Sequence, residues 1–276
     1  MNRRDMGGKV VLISGAAGGL GAALCQRYAR AGSRIAAMDL DAGRLDTLVT
    51  DLKQRGVQAL ALPGNIADPA SCQAALAATL SHFGSIDGLI NNAGISHRSL
   101  LRATRIEVIR QVMDVNFFGA VQLTQAALPH ITAQRGFIAA ISSVAGFSPL
   151  IGRTGYAASK HALHGFFDTL RSEVEDLGVS VTLVCPSFIR TGIGAAGLGG
   201  DGAQASSARL TTGGESSAEA IAERIFVGVA ESRRLLLPDR TSRLAWWLSR
   251  LAPQRFASIM KRRIGAEFDD APGSPL

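Results

Sequence analysis

The 276-residue chain contains little cysteine and few aromatic side chains, with 3 cysteines and 5% Phe, Trp and Tyr. Cys25, Cys72 and Cys185 are far apart and form no CxxC pair, so we expect no disulfide framework, no metal site and a reducing compartment. The shortage of aromatics beside 31 glycines favours a layered α/β protein over a β-sandwich. A hydrophobic content of 47% excludes a disordered chain.

Long apolar runs are also missing. No stretch approaches the ~20 uninterrupted apolar residues that a membrane-spanning helix needs. Residues 10–25 follow Arg3, Arg4 and Lys9 as the apolar part of a secretory signal would, but four glycines interrupt them. We therefore expect a soluble, cytoplasmic protein.

The charge is unevenly distributed. The chain has 29 Lys and Arg against 22 Asp and Glu, a net charge of +7. Such an excess could indicate a nucleic-acid, membrane or acidic-ligand partner, or it could belong to a solvated face. Residues 231–276 hold nine basic and five acidic residues, so they account for +4 of that excess. The aromatics of this tail have amphipathic-helix spacing rather than forming a base-stacking platform in a basic groove, and we expect no nucleic-acid binding.

Apolar strand patterns alternate with helical patterns along the chain. Predicted strands cover 9–14, 34–38, 57–62, 86–91, 137–142 and 179–185, and predicted helices cover 20–31, 42–55, 69–83, 104–132, 156–177 and 218–230. Apolar strands separated by helices predict a doubly wound parallel sheet, the Rossmann fold, with its ligand crevice beyond the carboxyl ends of the strands. Residues 192–215, rich in Gly, Ala and Ser, are typical of a mobile loop.

A glycine-rich turn follows the first predicted strand, with Gly15, Gly19 and Gly21 in the sequence SGAAGGLG. These glycines allow a tight turn and a close approach of backbone N–H groups to a pyrophosphate at the start of the next helix. A turn without a ligand is the alternative. Asp39 ends the second strand, 18 residues after Gly21, where its carboxylate can accept hydrogen bonds from a ribose diol.

The same carboxylate would repel a 2′-phosphate. Ala16, Ala17 and Leu40 supply no cation to receive one. The sequence therefore predicts NAD as the preferred cofactor over NADP.

These features, together with later motifs in the same order, resemble the classical short-chain dehydrogenase/reductase family over about residues 8–238. The motifs are the glycine turn beginning at Ser14, Asn65-Ile66, Asn91-Asn92-Ala93-Gly94, Asn116, Ser143, Tyr156-Ala-Ala-Ser-Lys160, and Pro186 followed by Thr191. Ser14 replaces the family's Thr, and Ser187 replaces a Gly after Pro186. The resemblance implies a cofactor site built from Ser14, Gly15, Gly19, Leu20, Gly21, Asp39, Asn65, Ile66, Asn92, Ala93, Gly94, Tyr156, Lys160, Pro186, Ile189 and Thr191.

It also implies a catalytic set of Asn116, Ser143, Tyr156 and Lys160. Tyr156 and Lys160 are four residues apart, so they share one helix face, and an ammonium beside the phenol favours its ionised form. Ser143 can hydrogen-bond the substrate oxygen while Tyr156 exchanges a proton with it. By resemblance Lys160 also holds the nicotinamide ribose, and Asn116 holds a water that relays protons. Each residue alone could be merely structural, but the combination predicts reversible hydride transfer between NAD(H) and a secondary alcohol or ketone.

Two alternative functions stay open: an NADP-dependent carbonyl or 3-oxoacyl reductase, and an NAD-sensing Rossmann protein that only binds. By resemblance the substrate faces 95–101, 144–155 and the loop from 188 onward. The apolar side chains there favour a steroid-like or lipid-derived substrate; they are Phe147, Pro149, Leu150, Ile151, Phe188 and Ile193. Four polar side chains could reach a polar end of it, but a solvated surface position is expected for each; they are His97, Arg98, Arg153 and Arg190.

The sequence divides into a Rossmann domain at 1–238, with its substrate loop at about 188–216, and a basic amphipathic extension at 239–276. In the extension, Leu244, Trp247, Leu248 and Leu251 follow helical spacing. It could lie in the surface of an anionic membrane, cap the substrate pocket or contact another subunit, with docking against protein favoured. By family habit we expect a homodimer or homotetramer, with Phe117, Phe118, Phe166 and Phe167 available for core or subunit packing.

Overall fold

A computed structural model describes residues 3–191, 196–205 and 214–265 of the chain. The strands in this part are β1 Val10–Ser14, β2 Arg34–Asp39, β3 Ala59–Pro63, β4 Gly88–Asn91, β5 Phe137–Ile141, β6 Ser180–Val184 and β7 Leu235–Leu236. The α-helices are α1 Gly19–Arg30, α2 Ala42–Gln54, α3 Pro69–Phe83, α4 Ile106–Met113, α5 Gly119–Ala133, α6 Thr154–Val174, α7 Ala218–Ala230, α8 Arg240–Leu251 and α9 Pro253–Gly265.

The described strands form one parallel sheet in the order β3-β2-β1-β4-β5-β6-β7. The chain winds outward from β1 in one direction through β2 and β3, and then returns to place β4 on the other side of β1. The predicted doubly wound sheet is confirmed. Its strand order reverses between β1 and β4, so a ligand crevice is expected beyond the ends of these two strands.

Each face of the sheet is covered by helices, which explains why the strands are apolar throughout. Val11 and Ile13 of β1 pack into one core with residues of α1, α2 and α7. Val10 and Leu12 point the other way and pack with residues of α3, α5 and α6. Burial on both faces fixes the sheet that presents the carboxyl ends of β1, β4 and β5 to the crevice.

The predicted long helix at 104–132 is wrong in detail. The structure has α4 and α5 joined by a five-residue π-helical segment, Asp114–Phe118. A wider turn of this kind changes which residue faces inward, and a pattern with a period of 3.6 residues does not reveal it. It places Asn116 in the interior, where its side chain is buried.

Two strand boundaries also differ, and one short strand was not predicted. The predicted strands at 57–62 and 86–91 begin later, at Ala59 and Gly88. Strand β7 was not predicted because it has only two residues. Residues 192–195, which include Ile193, and residues 206–213 of the predicted mobile loop lie outside the described residues. Between these two segments, the backbone of Leu198 accepts a 2.7 Å hydrogen bond from the Arg98 N–H and donates a 2.8 Å hydrogen bond to the Ser96 carbonyl oxygen.

The predicted extension begins with α8 and α9, and its residues 266–276 lie outside the described part. Asp239 caps α8: its side chain accepts a hydrogen bond from the Ser242 backbone N–H, and the Ser242 hydroxyl lies 3.2 Å from the Asp239 backbone nitrogen. Among the described helices, none combines the length and apolar character needed to cross a bilayer. The division of the chain at residue 238 stays a prediction.

Candidate active site

A continuous cavity of about 1340 Å³ lies beyond the carboxyl ends of the strands. It extends from Asp39 at the end of β2, past the glycine turn, to Tyr156 on α6 and onward to the helices of the extension. All sixteen residues predicted to bind the cofactor line this cavity, as does Ser143, while Asn116 lies behind its wall. The structure therefore brings the predicted site together, and what it binds stays a prediction.

The glycine turn is shaped for close approach of an anion. Gly15 has φ +65°, and a Cβ on it would come within 2.7 Å of the Ala93 Cα. A Cβ on Gly21 would overlap the carbonyl oxygen of Gly15. Helix α1 begins after Gly18 with no side-chain cap and no acidic residue in its first turn. Its positive N-terminal end is thus available to a phosphate, which fits a dinucleotide.

Ser14 and Asn92 join the two strands at which the sheet reverses. The Ser14 hydroxyl oxygen accepts hydrogen bonds from the backbone N–H groups of Asn92 and Ala93, at 3.1 and 3.2 Å. The Asn92 side-chain amide donates to the carbonyl oxygens of Ser14 and Gly15, both at 3.0 Å. Replacing the family's Thr by Ser14 retains the hydroxyl that makes these contacts.

Asp39 is held at one end of the cavity, where β2 ends. Its carboxylate accepts hydrogen bonds from the backbone N–H groups of Ala17 at 2.8 Å and Asp41 at 3.0 Å. Leu40, the next residue, is 74% exposed and also lines the cavity. Arg44 on α2 lines the same cavity, a cation that the sequence pattern did not single out.

Lys160 is buried beneath Tyr156 on the same face of α6. Its ammonium donates a 2.9 Å hydrogen bond to the carbonyl oxygen of Ile141 and lies 5.6 Å from the centroid of the Tyr156 ring. Burial lowers the pKa of Lys160 from 10.5 to about 8, since it penalises the charged form. The structure therefore places Lys160 and Tyr156 near each other on one helix face, as their four-residue spacing predicts, and their catalytic roles stay a prediction.

Asn116 connects the loop after β4 to α6. Its side-chain oxygen accepts a hydrogen bond from the Ile95 N–H at 2.8 Å, and its amide donates to the Ile95 carbonyl and to the Ser159 hydroxyl, both at 2.9 Å. A Cβ on Gly94 would lie 3.1 Å from the Asn116 oxygen and 3.5 Å from the Lys160 nitrogen. Gly94 therefore allows Asn116 and Lys160 to lie close together.

A buried polar cluster supports this site, and the sequence pattern did not single it out. His164 lies one turn after Lys160, and its Nε2 is 3.1 Å from the Ser142 hydroxyl and 3.5 Å from the Cys185 sulfur. Ser142 also donates to the Lys160 carbonyl oxygen at 3.2 Å. Burial lowers the pKa of His164 to about 4, so the imidazole is neutral at physiological pH. His164 is four residues after Lys160, and this spacing could have placed it on the same helix face from the sequence alone.

Ser143 and Thr191 border the cavity from two different loops. The Ser143 hydroxyl accepts a 3.2 Å hydrogen bond from the Ala145 N–H, which fixes the turn after β5. Thr191 lies against the start of α1, where a Cβ on Gly19 would come within 3.1 Å of its methyl group. The loop after β6 therefore covers the glycine turn.

The far end of the cavity is mainly apolar. Its apolar lining includes Leu150, Phe188, Leu244, Leu248, Phe256, Ile259 and Met260. The last five belong to α8 and α9, so the extension does cap the cavity, which was one of the sequence hypotheses. Phe147 does not line it and instead packs edge-on against Trp246, with ring centroids 4.9 Å apart.

The expectation of solvated positions was wrong for three of the four polar side chains that the resemblance places near a substrate. His97, Arg98 and Arg153 are buried, and only Arg190 is exposed. The His97 Nε2 accepts a 2.8 Å hydrogen bond from the Gly155 N–H at the start of α6, and burial lowers the His97 pKa to about 4. Arg98 and Arg153 line the cavity, where they add two buried cations.

Comparison with known proteins agrees with the resemblance. A family model described as short chain dehydrogenase matches residues 9–197. The chain is similar to dehydrogenase/reductase SDR family member 7B of Mus musculus, at 35% identity over 264 residues, 94% of this chain and 82% of the relative. It is also similar to dehydrogenase/reductase SDR family protein 7-like of Anopheles gambiae, at 36% identity with 95% and 85% coverage. Among solved structures, a short chain dehydrogenase/reductase from Burkholderia phymatum in complex with NAD has a TM-score of 0.77, 26% identity and 99% coverage of both chains.

Proposed function

Because the chain belongs to the short-chain dehydrogenase/reductase family and is an NAD(P)-dependent oxidoreductase, we propose a specific reaction for it. The enzyme transfers a hydride between NAD(H) and a secondary alcohol or ketone that is mainly apolar. The observation that carries the proposal is the one cavity lined by the glycine turn, Asp39, Ser143, Tyr156 and Lys160. These groups can hold a dinucleotide at one end and act on a carbonyl or hydroxyl beside it.

The residues that line the cavity support NAD as the cofactor. The unblocked start of α1 would receive its pyrophosphate, and Asp39 would accept hydrogen bonds from its adenosine ribose. Bound there, NAD supplies the hydride acceptor of the oxidation. The similar Burkholderia phymatum structure, solved with NAD, supports this assignment.

Three residues act on the substrate oxygen and its proton. Tyr156 removes the hydroxyl proton in oxidation and returns it in reduction. The Lys160 ammonium stabilises the phenolate from the same helix face, and the Ser143 hydroxyl donates a hydrogen bond to the oxygen as its charge changes. Asn116 holds the loop at Ile95 against α6. We propose that it also holds a water molecule that relays protons.

The apolar lining contributed by α8 and α9 supports a steroid-like or lipid-derived substrate rather than a sugar. Buried Arg98 and Arg153 favour a polar or anionic group on one end of it. Arg44 supports the alternative of an NADP-dependent carbonyl or 3-oxoacyl reductase, because it lines the cavity along with Asp39. A protein that only senses NAD would not require Ser143, Tyr156 and Lys160 in the same cavity.

The test is a panel of secondary alcohols, from short-chain to steroid and long-chain, assayed with NAD and with NADP by the absorbance of the reduced nicotinamide. We expect turnover with NAD and a preference for the larger apolar alcohols. Reduction of ketones with NADPH alone would select the alternative reductase. Binding of NAD without turnover of any alcohol or ketone would select the sensor.

Two further expectations remain proposals. The first is a homodimer or homotetramer; Phe118, which ends the π-helical segment and is 47% exposed, offers an apolar contact for it. The second is a cytoplasmic location, supported by Cys25, Cys72 and Cys185, which are all buried and unbridged.

A further inference from the structure

Helix α8 exposes an apolar stripe on its outer side. Leu244, Trp247 and Leu251 follow one another at i, i+3 and i+7, so they lie along one side of the helix. Their exposed fractions are 61%, 60% and 77%. The buried residues of the helix are the small Ser242 and Ala245. Most of the large apolar surface of α8 is therefore turned away from the protein core.

The surroundings of this stripe are strongly basic. Residues 240–265 contain seven Arg and Lys and no Asp or Glu. Arg243 and Arg250 are exposed next to the stripe, and Arg255 and Arg262 are exposed on α9. Three acidic residues follow at 267, 269 and 270, outside the described residues.

The stripe also borders the mouth of the cavity. Leu244 belongs to both, because it is exposed and lines the cavity. Ile259 of α9 lines the cavity as well and is 41% exposed. Trp247 and Leu251 do not line it. A surface that covered the stripe would therefore meet the opening through which an apolar molecule reaches the site.

We propose that α8 and α9 dock this enzyme onto an anionic lipid surface. Trp247 and Leu251 enter the boundary between headgroups and acyl chains, and the arginines of both helices contact lipid phosphates. A second copy of the chain fits the stripe less well, because a two-fold contact would set the arginines of both copies against each other. One face of α8 thus caps the cavity while the other contacts lipid, so the sequence hypotheses of a cap and a membrane contact are compatible.

The proposed membrane docking is argued only from residues of α8 and α9. Its consequence for the substrate rests on the proposed function: an apolar alcohol or ketone dissolved in the bilayer enters the cavity beside Leu244 without crossing water. The cost of moving such a substrate into water is then avoided.

The experiment is co-sedimentation of the full chain with vesicles of phosphatidylcholine, alone or mixed with phosphatidylglycerol. We expect sedimentation only with the anionic vesicles, and less of it at high salt. The double variant Trp247→Ser with Leu251→Ser should lower the partition coefficient by about tenfold or more, because both apolar contacts are lost. Its turnover of a short, water-soluble alcohol should equal that of the wild type. Leu177→Ser, at an exposed leucine of the core domain, is the matched control and should bind as the wild type does.

The charge contribution is tested separately with Arg255→Gln and Arg262→Gln, matched by Arg30→Gln and Lys53→Gln on α1 and α2. Only the first pair should weaken binding to anionic vesicles. Equal sedimentation of the wild type and the Trp247/Leu251 variant would overturn the proposal. A smaller oligomer for that variant, with no change in vesicle binding, would assign the stripe to a subunit contact and also overturn it. Neither result depends on identifying the true substrate, so failure of the docking and failure of the proposed function are separable.

Discussion

The hydroxyl of Ser187 donates a 2.7 Å hydrogen bond to the carboxylate of Asp239, and the backbone N–H of Ser187 donates a second one at 3.0 Å. Ser187 lies in the loop after β6 that covers the glycine turn, and Asp239 caps α8. One carboxylate therefore ties the loop beside the glycine turn to a helix that lines the far, apolar end of the same cavity. Ser187 stands where the family has Gly, so this chain uses its departure from the family motif to attach the extension.

We expect Asp239→Ala to destabilise the protein by roughly 2–3 kcal/mol, since the helix cap and two hydrogen bonds are lost together. Ser187→Gly removes only the hydroxyl contact and should cost about 1 kcal/mol. Urea denaturation measures both, and titration with NAD should show weaker binding for Asp239→Ala. Equal losses of stability in the two variants would mean that the cap contributes nothing beyond the Ser187 contact.

Tyr156→Phe removes the group proposed to exchange the proton while keeping the ring. We expect turnover to fall by about 10² to 10⁴-fold, the usual contribution of general acid–base catalysis. The dissociation constant of NAD should be nearly unchanged, because the phenol oxygen is proposed to act on the substrate. The measurement pairs steady-state kinetics with a cofactor titration. Retention of most of the wild-type activity would remove Tyr156 from the mechanism.

The local pattern was sufficient for the sheet and for the shape of the glycine turn, because each of these features belongs to one short segment. Gly15 and Gly21 are required by contacts within the turn or with the loop that follows β4. The sequence was less informative where a role depends on packing between distant segments. The pairing of Ser187 with Asp239 joins residues 52 apart. The backbone N–H of buried Arg98 likewise donates to the carbonyl oxygen of Leu198, in a different loop. Trp247 points outward because the small residues Ser242 and Ala245 are the ones that pack inward. Hydrophobic periodicity predicts the opposite orientation, with the large apolar residues facing the core.

The double variant Asp39→Ala with Leu40→Arg should shift the cofactor preference toward NADP. It removes the carboxylate that would repel a 2′-phosphate and places a guanidinium beside it. We expect the ratio of kcat/KM for NADP over NAD to rise by about tenfold or more, equivalent to ~1.4 kcal/mol or more.

Arg44→Gln serves as the comparison. If the wild-type enzyme uses NADP through Arg44, this variant lowers the NADP rate and leaves the NAD rate unchanged. An unchanged cofactor ratio in the Asp39/Leu40 variant would contradict the role of Asp39.

The buried ammonium of Lys160 makes the stability of the free protein depend on pH in a definite direction. Its pKa is about 8 in the folded chain, below its ordinary value of 10.5, because burial penalises the charge. Below about pH 8 the group is charged in both states, and folding bears the full cost of burying it. Between the two pKa values the unfolded chain binds more protons than the folded one, so the contribution of Lys160 to the free energy of unfolding rises with pH.

Lys160→Met removes this titration. In the absence of cofactor, the variant should gain most in stability over the wild type near pH 7, and the gain should shrink as the pH approaches about 10. Urea denaturation at several pH values measures the difference, and Lys53→Met, at an exposed position on α2, controls for the general effect of alkali. A gain for Lys160→Met that is constant with pH would show that the ammonium carries no burial cost. A gain that grows with pH would reverse the predicted sign.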